Sequence, residues 1–75
     1  MSQTTPKEMA FIFFISEREE TKETIIETLN ASFTTADKQD FVDAVMELMK
    51  KSSLPVSVFS FVKKSLESML HLNEE

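Results

Sequence analysis

Apolar and polar positions repeat with a helical period over much of the chain, and the clearest repeat lies between residues 35 and 51. Its apolar positions follow i, i+1, i+4, i+7 and i+8, namely Phe41, Val42, Val45, Leu48 and Met49. Charged residues occupy the opposite face. This pattern predicts an amphipathic helix that has Thr34 or Thr35 as its N-cap and ends within residues 52–55.

A second apolar stripe follows Pro55, a residue that suits the start of a helix. Its members are Phe59, Val62, Leu66, Met69 and Leu70, and the stripe is widened by Val58 and Phe61. The first half, residues 56–62, is also compatible with a strand because it is rich in Val, Phe and Ser. We favour a helix, because the stripe has helical spacing over its full length.

The N-terminal segment carries a specific helix-start signal. In Thr5-Pro6-Lys7-Glu8 the Thr5 hydroxyl and the Glu8 carboxylate are spaced to cap each other's backbone N–H, with Pro6 at the first helical position. Residues 9–15 are apolar on every side, which is typical of a helix buried all round or of a short buried strand. The cap favours a helix that begins at Pro6.

A second capping box, Ser16 with Glu19, interrupts the following segment. A new helix starts there, or the first helix continues as one rod to about Ala31; the sequence leaves both open. Residues 17–24 are polar, and an apolar stripe then begins at Ile25. Glu19, Glu23 and Glu27 recur at i, i+4 and i+8 without oppositely charged partners at that spacing.

These elements predict one all-α domain over residues 1–75, a small bundle of three to four short helices with frayed polar ends at 1–4 and 73–75. The chain has no Gly, which argues against tight hairpin turns and a β-rich fold. General scalings for 75 residues give about 115 kcal/mol from apolar burial against about 110 kcal/mol of ordering entropy. With no Cys for a disulfide, we expect dimerisation to complete the core.

The net charge of −5 is unevenly distributed. Residues 1–47 contain four basic and ten acidic side chains, a net of −6, whereas residues 48–75 have a net of +1. A single Arg in the whole chain argues against direct binding of nucleic acid. The apolar run 9–15 is too short to span a membrane and lacks the basic flank of an interfacial helix. We therefore expect a soluble, cytoplasmic protein that binds neither nucleic acid nor a membrane.

The composition offers little site chemistry. Without Gly there is no phosphate-binding loop, dinucleotide fingerprint or nucleophile elbow. His71 is the only His, and no spacing supplies it with a nucleophile, an orienting acid or further metal ligands. A dipole or solvent contact at a helix end is its expected role. We predict that the chain is not an enzyme and has no catalytic, cofactor-binding or metal-binding residues.

Seven Phe and five Met in 75 residues are the remaining signal, because both side chains suit a small core and a partner-binding surface. We predict a small acidic protein-interaction module, a regulator, adaptor or inhibitor that binds another protein and forms a homodimer. An acidic mimic of nucleic acid, or an antagonist of a basic nucleic-acid-binding protein, is the alternative. The expected partner or dimer contacts are Phe11, Phe13, Phe14, Phe59 and Phe61.

Overall fold

The computed structural model describes residues 4–72, of which about 80% are helical. The helices are α1 (Pro6–Ile15), α2 (Glu19–Ser32), α3 (Thr35–Lys51) and α4 (Val56–Met69). The predicted all-α fold is confirmed, with residues 9–15 and 56–62 both helical and the span 6–31 divided into two helices. Of the ends predicted to fray, Thr4 is exposed before α1, and residues 1–3 and 73–75 lie outside the described residues.

Helix α1 begins with the capping box that the sequence predicts. The Thr5 Oγ1 accepts a hydrogen bond from the Glu8 backbone N–H at 3.2 Å, and the Glu8 Oε1 accepts one from the Thr5 backbone N–H at 2.9 Å. Pro6 is the first residue of the helix. Two backbone donors that have no partner inside the helix are thereby satisfied.

The second predicted capping box does not form. Ser16 is instead the C-cap of α1, and its backbone N–H donates to the Ile12 carbonyl at 3.0 Å. Its hydroxyl oxygen accepts from the Arg18 backbone N–H at 3.2 Å, which closes a local turn. Helix α2 therefore begins three residues later, at Glu19, with Arg18 as an N-cap that makes no side-chain capping bond.

The ends of α3 and α4 place non-glycine residues in the left-handed region. Ser53 has φ 58° and His71 has φ 60°. After α4, the Leu72 N–H donates to the Glu67 carbonyl and the His71 N–H donates to the Ser68 carbonyl, at 2.7 and 3.2 Å. This pairing is the Schellman arrangement, which is usually built around Gly at the position of His71.

The core is centred on the apolar stripe of α3, as its sequence period predicts. Phe41, Val42, Val45 and Met49 are buried there, and α1 packs along α3 more extensively than any other pair of helices pack. The other helices add the remaining buried residues, which are Met9, Ala10, Ile25, Leu29, Leu66 and Leu70. Asp40, Asp43, Glu47 and Lys50 are exposed on the opposite face of α3, in agreement with the prediction.

Two apolar surfaces remain incompletely covered within a single chain. Helix α1 is not buried all round, because only Met9 and Ala10 are fully covered while Phe11, Ile12 and Ile15 are exposed. The stripe of α4 is likewise incomplete, because Met69 is exposed at 45%. The physical reason is the same for both: each helix has neighbours on only one side, so its other apolar positions face outward.

Candidate functional site

A groove of about 510 Å³ lies between α2 and α4, next to the end of α1. Its apolar lining consists of Phe13, Ile26, Phe61, Val62, Leu66 and Met69. Leu66 is buried and belongs to the core, Ile26 and Val62 are half-buried, and Phe61 is 71% exposed. The groove therefore continues the hydrophobic core out to the surface.

The helical period of α2 explains how one wall of the groove arises. Ile25 and Leu29 point into the core, whereas Ile26 lies one residue further round the helix and lines the groove. On the outer side of Ile26 the period places Glu19, Glu23 and Glu27, all exposed and all lining the groove. This wall is thus apolar at its base and acidic along its rim, and we call the three glutamates the acidic rim.

The acidic rim has no opposite charge bound to it within residues 4–72. The ion pair in this part of the chain joins the Arg18 Nη2 to the Glu20 Oε1 at 3.3 Å, and both side chains are largely exposed. Exposed carboxylates one helical turn apart repel each other, so their arrangement adds nothing to the stability of α2. Their negative field is available to a cationic group outside the chain.

One lining residue of the groove, Phe13, also makes an aromatic contact with the core. The Phe13 ring packs edge-on against the Phe41 ring, with centroids 5.4 Å apart. The Lys22 Nζ lies 5.6 Å from the centroid of the Phe13 ring, within the range of a cation–π interaction. Lys22 therefore lines the groove together with the glutamates of α2 and has Phe13 as its aromatic partner there.

Two side chains bond to the C-terminal end of α4, whose last residue, Met69, lines the groove. The Asn30 Nδ2 of α2 donates to the Met69 carbonyl at 3.0 Å, and the Lys38 Nζ of α3 donates to the Leu70 carbonyl at 3.2 Å. Met69 is the last residue of α4 and Leu70 is its C-cap, where backbone acceptors lack helical partners and the dipole favours a cation. The C-terminal turn of α4 is thereby fixed against α2 and α3.

A second, larger groove of about 840 Å³ lies on the other side of α2. Helix α1 contributes Met9 and Ile12 to it, while α2 contributes a row of hydroxyl side chains, Thr21, Thr24, Thr28 and Ser32. Hydroxyls on a helix surface are well solvated and give little binding energy without a matched polar ligand. The groove between α2 and α4 is therefore the better candidate, although it is smaller.

The predicted contact residues do not form one surface. Phe13, Phe14 and Phe59 are half-buried and pack against the core, whereas Phe11 and Phe61 are exposed. Phe13 and Phe61 both line the α2–α4 groove, and Phe11 lies on the outer face of α1. Sequence reasoning missed Ile26, Met69 and the acidic rim as parts of a site. The regular spacing of the three glutamates was the one signal for them in the sequence.

The part of the chain that the structure describes holds no metal-binding cluster and no membrane-spanning helix. Between residues 4 and 72 no three His, Asp or Glu side chains come together in a way that would hold a metal ion. No helix in residues 4–72 has the length and apolar character needed to cross a membrane. His71 lies just after α4, at the left-handed position described above.

Comparison with known proteins adds no relative. The sequence matches no protein-family model, no curated protein and no solved structure. A function for the chain therefore has to be inferred from its own geometry.

Proposed function

We propose that this chain is a small acidic protein-interaction module without catalytic activity, which binds a partner protein through the groove between α2 and α4. The observation that carries this proposal is the exposure of Phe61 and Met69, 71% and 45%, in the same groove as the half-buried Ile26 and Val62. Large apolar side chains grouped around a concave surface are typical of protein-binding sites. A cytoplasmic location, compatible with a chain that has no Cys, is part of the same proposal.

Photocrosslinking tests this proposal in the cells that make the protein. p-Benzoylphenylalanine is placed at position 65, where Ser65 lines the groove, or at position 57, where Ser57 is exposed outside it. We expect a crosslinked partner at position 65 that is absent at position 57 and is lost when Phe61→Ser is added. Val56→Ser is the matched control, because Val56 is 81% exposed but does not line the groove. A crosslink at position 65 that persists in the Phe61→Ser variant would refute the proposal.

An acidic mimic of nucleic acid is the second candidate, and the unpaired carboxylates of the acidic rim favour it. Binding of this kind depends on charge, so it weakens steeply with salt and is insensitive to removal of an apolar side chain. A partner that is released by 0.5 M NaCl but tolerates Phe61→Ser would support the mimic.

Self-association belongs to the same proposal, and we place it on the outer face of α1. Phe11 and Ile15 are 52% and 56% exposed and lie one helical turn apart, with Ile12 beside them. Phe13 and Phe14 are also among the contacts expected from the sequence, but both are half-buried against the core of their own chain. Of the three predicted contact residues on α1, Phe11 is the one whose side chain is exposed and therefore available to a second copy.

A further inference from the structure

We infer that the partner segment which fills the α2–α4 groove is an amphipathic helix with Lys or Arg along one flank only. This inference rests on the proposed function, because it names the chemistry of the partner at the same groove. Three properties of the groove carry it: its length, the difference between its two walls, and the absence of backbone groups that would pair with an extended peptide.

The length of the groove suits two turns of helix. It extends along α2 from Glu19 to Glu27 and along α4 from Phe61 to Met69, and each of these spans corresponds to about 12 Å at the helical rise. A helix that docks into a groove presents anchors at i, i+3 or i+4, and i+7, which cover about 10 Å. Three apolar anchors of one helix therefore match the apolar lining from end to end.

The two walls differ in charge. The α2 wall carries three carboxylates and one cation, Lys22, whose Nζ lies over the Phe13 ring. The members of the acidic rim follow one another at about 6 Å along the helix axis, one per turn. The α4 wall contributes Phe61, Val62, Ser65, Leu66 and Met69, none of them charged. A bound helix would thus meet carboxylates on one flank and apolar surface on the other. Lys or Arg at i and i+4 on that flank would pair with successive glutamates.

The occupant has to satisfy its own backbone hydrogen bonds. An extended peptide gains affinity by adding a strand to an exposed sheet edge, and residues 4–72 contain no strand. The walls of the groove are helices whose interior N–H and C=O groups are paired with each other. A helix is the peptide conformation that pairs its backbone internally and leaves side chains for the groove.

A second copy of the chain is the competing occupant, because α4 itself carries Phe61 shortly before Lys63 and Lys64. Charge disfavours it. Both copies have a net charge of −5, and docking through this groove would bring one acidic rim towards the other. The lysines of α4 are also adjacent in sequence, so they do not reproduce the one-per-turn spacing of the acidic rim.

A displayed peptide library tests the inference on the full-length chain. The probe is an alanine-based helix of 18 residues in which the anchor positions and both flanks are randomised. We expect enriched sequences to carry apolar anchors at i, i+4 and i+7 and Lys or Arg on one flank. Phe61→Ser should weaken the best peptide about tenfold or more, and Glu23→Lys about fivefold or more. Asp43→Lys, a charge reversal on the exposed face of α3, should change its Kd less than about twofold.

The outcomes separate this inference from the proposed function. Enriched peptides that lack basic flanks, yet still lose affinity with Phe61→Ser, would overturn the inference and leave the groove as a binding site. If no peptide is enriched, or if no enriched peptide loses affinity with Phe61→Ser, both the inference and the proposed function are overturned. A dimer in sedimentation that dissociates with both Phe61→Ser and Glu23→Lys would assign the groove to a second copy instead. Circular dichroism of each variant checks that it remains folded.

Discussion

The Phe13 ring meets the Phe41 ring edge to face, with an interplanar angle of 83° and 5.4 Å between centroids. Phe41 is fully buried in α3, so the contact fixes the end of α1 to the centre of the core. The same Phe13 ring has Lys22 near its face and lines the groove. One side chain therefore joins the core to the candidate site.

A double-mutant cycle measures this contact. Phe13→Leu and Phe41→Leu should show a coupling free energy of about 1 kcal/mol, because edge-to-face aromatic pairs add to simple burial. Urea unfolding of the two single variants and the double variant gives the value. Phe11→Leu is the control partner for Phe41→Leu, since Phe11 is exposed on the other side of α1, and that pair should be additive. Additivity for Phe13 as well would show that the ring contact contributes nothing.

The two faces of α3 should differ strongly in their tolerance of alanine. We expect Phe41→Ala to reduce the free energy of unfolding by about 3 kcal/mol or more, through lost burial and a cavity. Asp43→Ala should change it by less than about 0.5 kcal/mol, because Asp43 is exposed and accepts one hydrogen bond from Gln39 at the surface. Urea melts with equal midpoints for both variants would mean that a different face of α3 packs against the core.

The start of α3 offers a matched pair of threonines. The Thr34 hydroxyl accepts a hydrogen bond from the Asp37 backbone N–H at 3.1 Å, so Thr34→Ala should destabilise the protein by about 1 kcal/mol. Thr35→Ala leaves that cap in place and should cost less than about 0.5 kcal/mol. Thermal melts followed at 222 nm compare them, and the reverse order would identify Thr35 as the N-cap.

Glycine at Ser53 should stabilise the protein. Ser53 has φ 58°, where a Cβ is unfavourable, so Ser53→Gly should add about 0.5–1 kcal/mol to the free energy of unfolding. Ser52→Gly is the control, because Ser52 has φ −92° and its hydroxyl donates to the Leu48 carbonyl at 3.1 Å. That variant should lose stability. If both variants lose stability in denaturant melts, the positive φ at Ser53 does not reduce the free energy of unfolding of the wild-type protein.

Association through α1 predicts a mass near twice 8.6 kDa in light scattering and a melting temperature that rises with protein concentration. Phe11→Asp should lower both, because the dimer would have to bury an unpaired carboxylate. Val56→Asp, at an exposed position outside α1, should leave both unchanged. A wild-type monomer with a melting temperature independent of concentration would contradict the proposed contact.

Local signals were sufficient to predict most of the helices. The capping box at Thr5, the cap at Thr34 and the proline at position 55 mark three helix starts within one residue of their observed positions. The box at Ser16 failed as a signal because the same hydroxyl also closes a turn with Arg18, and sequence spacing does not distinguish the two uses.

The groove could not be predicted from local signals. Residues 9–15 are apolar all round, so no period tells which of Phe11 and Phe13 faces the core. The site also depends on α4 lying beside the acidic rim, and contacts made near the C-terminal ends of both helices fix that placement. The bond from Asn30 to the Met69 carbonyl spans 39 positions in sequence, beyond the reach of any local pattern.

The bonds from Asn30 and Lys38 to the last turn of α4 also have a dynamic consequence. They restrain one end of the helix, while its first turn, around Val56 and Val58, has exposed side chains and no side-chain cap. Thermal motion of α4 should therefore increase with distance from Met69, so that the helix pivots about its C-terminal turn. The width of the groove near Phe61 would then fluctuate on its own, and amide protons of the first turn would exchange with solvent earlier than those of the last.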